Sequence, residues 1–409
     1  MSDTEKFSGW RVLLGCILCM FTVQGAMQTF AVFLPQIVQG TGWSLSMVAQ
    51  VSTFASGSGF ITNLLLTRAL KRLRVKTVLL IGAACTALHM FIYTASQSVY
   101  MLWLAAFIGG IGIGWGTVAP CSIIITNWFV KHRSLCIAAA TAGSMLGSVV
   151  LNPTAAMLIE RFGWRGAYRI LGIAVGLASV LSVLLLVREK PQELGQRPYG
   201  IGHSEESSPA ALHGVSAERA RRSASYWLLL PGIFLIGFST NIENYMPAFW
   251  QHRGLSSMDS SLVLSFYSLF AAVISLVMSR INDRLGGKRY VLATSLLFAL
   301  SVLVMTYTGV TGAMFSLVIC CIPFAAGAKK ACTMTPPLVV AEAFGRKDYS
   351  NIIGPFAAVL QMGIALSNLA IGPLAEISYE LAFTCMTGVN IAGMLCICLA
   401  LRLRPAHGE

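Results

Sequence analysis

Three ionisable residues stand where ionised groups are expensive. Glu243 lies in FSTNIENYMPAF, and Lys329 and Lys330 lie in CCIPFAAGAKKACTMTPP, each deep inside a long apolar stretch. A charge at the centre of a hydrocarbon layer costs at least about 2.5–3.5 kcal/mol on the mildest scales. None of the three is close enough to the end of its stretch to snorkel to water. Such groups persist where they border a polar cavity or one another. A buried ammonium offers a carboxylate a positive charge and three N–H donors. Glu243 offers the lysines an internal counter-charge and gives a coupled proton a place to sit. Adjacent helix positions point about 100° apart, so one lysine faces a pathway and the other a neighbouring helix. The spacing leaves open which is which. It also leaves two readings of the trio: a binding site for an anion, or a structural ion-pair network. One network can serve both ends if an incoming carboxylate competes with Glu243 for a lysine.

Uncharged polar residues extend the candidate set. Gln24 and Gln28 are one helical turn apart and can share one set of ligand oxygens, or can act as glue between helices. Asn241 and Tyr245 flank Glu243, and Trp115, Tyr245 and Tyr267 are candidate cavity walls. Gln361 and Asn368 supply amides late in the chain, and Asn63 and Asn152 early in it. His89 reads as a packing residue. Enzyme signatures are missing: there is no H-E-x-x-H and no G-x-S-x-G. The run GGIGIGWG at Gly109–Gly116 lacks the lysine and the hydroxyl residue of a phosphate loop. The six histidines show no ligand spacing, and the eleven cysteines form no paired C-x-x-C clusters, since the one C-x-x-C, Cys16 to Cys19, has no second to join it. No metal or cofactor is expected. Cysteines such as Cys16, Cys19, Cys320 and Cys321 read as small buried hydrophobes.

The elements that must hold these groups follow from composition. The chain has 409 residues, 56% hydrophobic and 11% charged, against about 25% charged in soluble domains. Its mean hydropathy is +0.72. Apolar runs of roughly helix-spanning length fall at 12–38, 46–67, 77–95, 99–124, 135–158, 167–187, 226–250, 260–279, 290–308, 312–336, 350–374 and 380–401. The expected architecture is an all-α polytopic membrane protein with twelve transmembrane helices in two six-helix bundles. Residues 1–188 form the first bundle and 226–409 the second. Between them, 189–225 is a cytoplasmic linker rich in Glu, Arg, Gly, Ser and Pro, expected to be partly disordered with a short helix over 215–222. The start, MSDTEKFSGWRVLLGC, has no cleavable signal pattern, so the first run reads as a permanent span. With both termini and the linker in the cytoplasm, 23 of the 29 Lys and Arg lie on that side and four lie outside. That bias follows the positive-inside rule for a plasma or inner membrane. It also assigns the net charge of +13 to the bilayer surface and not to nucleic acid.

The two halves repeat. A shift of 212 residues places Gly25 on Gly237, Pro35 on Pro247, Gln39 on Gln251, Gly42 on Gly254 and Ser44 on Ser256. It also places Arg68 on Arg280, Arg72 on Arg284, Leu73 on Leu285 and Lys76 on Lys288. Equal halves around a linker are the plan of carriers that rock about a midplane site.

These features resemble the major facilitator superfamily. The loop INDRLGGKR from Ile281 to Arg289 is similar to its basic loop motif. The resemblance implies that Asp283 and Arg284 latch the cytoplasmic side, that Gly286 and Gly287 form a tight turn, and that Lys288 and Arg289 complete the motif. The first-half copy departs from it, with Lys71 in place of Asp283 and Arg74 and Val75 in place of the glycines. GWRV at Gly9, TGWS at Thr41 and the segment from Asn127 resemble the oxalate/formate antiporter and monocarboxylate transporter branch. That segment carries W-F-x-K-x-R, A-x-A-G-S-x-x-G and F-G-W-R-x-A-Y. The resemblance implies alternating-access transport of a small mono- or dicarboxylate by a monomer, with a coupled proton or a counter-anion. A basic residue usual in the eighth span of relatives is missing here, which puts the weight on Lys329 and Lys330 or leaves room for a neutral or zwitterionic passenger. Two other classes share the sequence features: a multidrug or amphiphile exporter, marked by a larger apolar cavity, and a non-transporting membrane receptor.

Overall fold

A computed structural model describes residues 7–129, 133–200, 215–285, 287–308, 335–345 and 348–403. All regular elements among these residues are helical. The first apolar run forms α1 (Gly9–Gln28) and α2 (Phe30–Thr41). They are parted at Thr29, whose hydroxyl donates back to the Ala26 carbonyl at 2.7 Å. Then come α3 (Leu45–Ala49), α4 (Val51–Ala69), α5 (Val75–Ala95), α6 (Val99–Gly116) and α7 (Val118–Trp128). Next, α8 (Arg133–Leu186) contains the fifth and sixth runs joined at Gly163, whose φ of 67° breaks the helix between them. After the linker come α9 (Ala217–Arg221), α10 (Ala224–Phe238), a 3-10 turn over Thr240–Asn244, and α11 (Met246–His252). They are followed by α12 (Ser257–Leu285), α13 (Gly287–Tyr307), α14 (Thr335–Phe344), α15 (Tyr349–Ile377) and α16 (Tyr379–Arg402). Eight helical stretches of the described residues are long and apolar enough to cross a membrane. Of the twelve runs, 312–336 lies almost wholly outside the described residues, and the other eleven are helical.

The internal repeat has a physical basis in its turns. Gly42 follows α2 with φ 73°, and Gly254 follows α11 with φ 96°. A left-handed residue ends a helix cheaply only as glycine. Two residues later a serine caps the next helix: Ser44 accepts from the Met47 N–H, and Ser256 accepts from the Asp259 N–H at 3.0 Å. The matched Gly and Ser letters therefore encode one stop-and-restart signal used twice.

Two compact units result, Met1–Phe33 with Phe54–Ser208, and Leu34–Thr53 with Pro209–Glu409. The hairpin Leu34–Thr53 thus packs within the second unit although it belongs by sequence to the first half. Three bonds hold it. The Ser46 N–H donates to the Glu376 carboxylate at 2.8 Å, the Asn244 amide to the Ser52 hydroxyl at 3.2 Å, and the Gln36 amide to Gln251 at 3.3 Å. Gly372 makes room: a Cβ there would sit 2.8 Å from the Ser46 Cα.

The core of the first unit gathers Val12, Met20, Val23, Leu79, Ile124, Trp128 and Val183, with Cys16, Cys19, Cys121 and Cys136 buried among them. The core of the second gathers Tyr226, Leu229, Ile233, Tyr290, Phe344, Phe356 and Ile397. Where the sequence suggests an open linker, its first part is tied down. The Trp128 indole donates to the Arg188 carbonyl at 2.8 Å, Asn127 to the Glu189 carbonyl at 3.0 Å, and the Tyr199 N–H to the Trp128 carbonyl at 2.8 Å. Phe7, Trp10, Phe129 and Tyr199 pack edge-on or tilted around that junction. Residues 201–214 lie outside the described residues, and α9 appears within the expected helix.

One ion pair joins distant parts of the second unit. Arg253 donates to Glu380 at 2.7 Å and to the Thr306 carbonyl at 2.9 Å. The two side chains are 27% and 34% exposed, so screening keeps the pair small, at about 1 kcal/mol or less. A double-mutant cycle of Arg253→Gln and Glu380→Gln, read by denaturation in detergent, is expected to give a coupling of that size. A coupling several times larger would contradict the screened reading.

Candidate functional site

In the first unit the candidate residues sit where α1, α4, α6 and α8 meet. Gly25 and Gly147 let α1 and α8 touch backbone to backbone, since a Cβ on Gly147 would lie 2.2 Å from the Phe21 carbonyl oxygen. One turn beyond Gly25, Gln28 accepts a hydrogen bond from the Ser148 hydroxyl at 2.6 Å. The glue reading of Gln28 therefore describes its carbonyl. Gln24 is half-buried one turn earlier. Trp115 is half-buried and donates its indole N–H to the Thr62 carbonyl at 3.0 Å, tying α6 to α4. The glycine run of α6 is a packing face: a Cβ on Gly110 would meet the Ala55 carbonyl oxygen at 2.2 Å. His89 is buried beside Tyr93, their rings edge to face at 5.2 Å.

In the second unit the seventh run is broken. Its α-helix stops at Phe238, passes through the 3-10 turn and restarts at Met246. Interrupted helices expose backbone groups and polar side chains at membrane depth and are tolerated where they line a polar space. The turn carries Asn241, Glu243 and Asn244 and leads into Tyr245. Asn241 donates to the Ile364 carbonyl of α15 at 2.7 Å. Glu243 is half-buried, and Tyr245 is fully buried. Gln361 is exposed on α15. It lies about 200° round that helix from Gly363, whose Cβ position is 2.4 Å from the Phe234 carbonyl oxygen of α10.

Lys329, Lys330 and Gly286 lie outside the described residues. Asp283 and Arg284 fall in the last turn of α12, and Gly287 opens α13. Lys288 is half-buried and Arg289 exposed. The structure therefore brings Asn241, Glu243 and Tyr245 together on one turn against α15. It places Gln24, Gln28 and Trp115 in the first unit, where Gln28 and Trp115 are engaged with neighbouring helices.

Sequence reasoning gave Asn152 and Asn368 little weight, yet each is fully buried with neither side-chain atom hydrogen-bonded. Both follow a helix-contact glycine by five residues, in GSVVLN from Gly147 and GIALSN from Gly363. That match appears at a shift of 216, not 212, so the gap-free comparison hides it.

The fold, with its two units and its repeated plan, is that of a multi-pass membrane protein. The sequence profile of the Major Facilitator Superfamily matches residues 16–336 and 251–409, and the chain belongs to that superfamily. It is a multi-pass membrane protein. Among its relatives, monocarboxylate transporter 4 of Rattus norvegicus is 25% identical over 245 residues, 57% of this chain and 51% of the relative. Monocarboxylate transporter 2 of the same species is 28% identical over 211 residues, covering 48% and 43%. The uncharacterized MFS-type transporter YhjX of Escherichia coli (strain K12) is 21% identical over 373 residues, covering 88% and 86%. The chain spans about half the length of the monocarboxylate transporters it matches. In fold it is similar to the nucleoside transporter NupG, with a TM-score of 0.76 at 12% identity over 96% of this chain and 98% of that one. It is also similar to a bacterial homologue of the human lysosomal transporter Spinster, with a TM-score of 0.74 at 13% identity over 98% of each.

Proposed function

We propose that this transporter carries a small organic anion, a mono- or dicarboxylate, by alternating access. The observation that carries the reading is the pair Lys329–Lys330 inside an apolar run, with Glu243 on a broken helix. The names of its monocarboxylate transporter relatives support the same cargo. An ammonium at membrane depth compensates a carboxylate that lipid would otherwise reject. Binding and conformational exchange are the whole of the chemistry, and no covalent step is needed. The passenger must bind the two conformations unequally or share a coupled ion for net work to result. Both termini and the linker face the cytoplasm in this reading, 1–188 and 226–409 form the two bundles, and the loop Asp283–Arg289 latches the cytoplasmic side.

The test is uptake by proteoliposomes loaded with purified protein, offered labelled mono- and dicarboxylates. Uptake that rises with an inward proton gradient and needs no internal anion marks symport. Uptake that appears only with internal anion marks exchange. Proton coupling in this reading runs through Glu243. In the first case Glu243→Gln is therefore expected to abolish accumulation while sparing counterflow.

A further inference from the structure

The buried amide of Asn368 has a setting that the charged residues do not explain. Along one stripe of α15, at steps of one turn, lie Ile364, Asn368 and Gly372. The Ile364 carbonyl accepts the Asn241 amide at 2.7 Å. The Cβ position of Gly372 is 3.4 Å from the Tyr245 hydroxyl. The broken seventh helix thus crosses this stripe from Asn241 to Tyr245, and Asn368 lies between its two contacts. Asn368 and Tyr245 are both 0% exposed, and the amide oxygen, amide nitrogen and phenol oxygen all lack hydrogen-bond partners. Leaving buried polar atoms unmade costs about 1–3 kcal/mol for each group. Chance is a weak account, because the first unit repeats the pattern. There Gln28 engages Ser148 of α8, and Asn152, one turn on, is buried with both amide atoms unpartnered.

We propose that Asn368 and Tyr245 form a neutral donor–acceptor subsite for the passenger, filled when α15 and the broken helix part. An amide that lacks both a donor and an acceptor partner is satisfied by a group that accepts and donates at once. A hydroxyl does this, and so does an un-ionised carboxyl, which pairs with an amide through two hydrogen bonds. An ionised carboxylate does not, because it would set its lone pairs against those of the Asn368 Oδ1. The subsite therefore recognises a neutral polar group of the cargo, apart from the charge recognised by the lysines. It rests on the organic-anion reading for the rest of that cargo, but not for its own chemistry.

The experiment measures ligand-induced thermal shifts of full-length wild type, Asn368→Leu, Asn368→Asp and Tyr245→Phe. The panel pairs 2-hydroxy acids with unsubstituted acids of equal chain length at two pH values, and adds neutral polyhydroxylated compounds. Asn368→Leu removes an unpartnered amide for an apolar group of similar shape, so without ligand it is expected to melt at or above wild type. It should weaken the matching ligand about tenfold. Selective loss of the hydroxylated acids assigns a hydroxyl, and loss confined to the lower pH assigns an un-ionised carboxyl. If only neutral compounds shift the wild type and Asn368→Leu abolishes that, the organic-anion reading fails and the subsite stands. Equal affinities and equal selectivity in wild type, Asn368→Leu and Tyr245→Phe would overturn the subsite.

Discussion

Substituting Lys329 and Lys330 with glutamine one at a time is expected to separate them sharply. One change should raise the KM for carboxylate uptake at least about tenfold, which is the loss of one charge-assisted hydrogen bond of about 1.5–3 kcal/mol. The other should leave KM near the wild-type value and lower the melting temperature or the amount of folded protein. The asymmetry follows from the helix that the sequence predicts over 312–336, where adjacent side chains would diverge by about 100°. A lysine bound to cargo acts on KM. A lysine held in an ion pair acts on stability, because removing its charge leaves the opposing group uncompensated. Wild-type KM in both single variants and in the double variant would remove the lysines from the binding site.

The second large effect is structural and comes from the helix-contact glycines. Gly147→Val places a branched side chain where even a Cβ would lie 2.2 Å from the Phe21 carbonyl oxygen and 2.9 Å from the Gly25 Cα. Both obstacles are backbone, so α1 and α8 must separate. The expected cost is about 3 kcal/mol or more, seen as loss of monodisperse protein in detergent. Gly363→Val meets the Phe234 oxygen at 2.4 Å and should fail in the same way. Gly388→Ala is the control: nothing lies within 4 Å of its Cβ position on α16. It should be neutral or stabilising by up to about 1 kcal/mol. Equal melting of Gly147→Val and Gly388→Ala would contradict the packing described for α1 and α8.

Much of this architecture is legible in the letters, for reasons that can be named. Charge scarcity and run length identify the spans because lipid enforces both. The matched Gly42–Ser44 and Gly254–Ser256 pairs are readable because a left-handed stop and a serine cap each demand a particular residue type. Side-chain engagement is harder to read. Gln28 and Trp115 look available for ligand in a linear sequence, and their partners, Ser148 and the Thr62 carbonyl, lie on other helices. The linker composition suggests an open chain, but Trp128 and Tyr199 supply long-range partners that tie its first residues down. Membership of Leu34–Thr53 in the second unit is equally invisible in sequence, since it depends on Glu376 and Gly372, more than 300 residues away in the chain. Asn368 was obscured by a four-residue change in register between the halves.

The cargo is tested most directly by measuring initial uptake in wild-type proteoliposomes, with labelled small carboxylates set against lipophilic cations and neutral nucleosides of similar size. Saturable uptake of at least one carboxylate, competed by unlabelled carboxylates and not by the cations, is the predicted result. Uptake of the lipophilic cations alone, with every carboxylate at the level of empty liposomes, would contradict an organic-anion carrier and point to an exporter of amphiphiles.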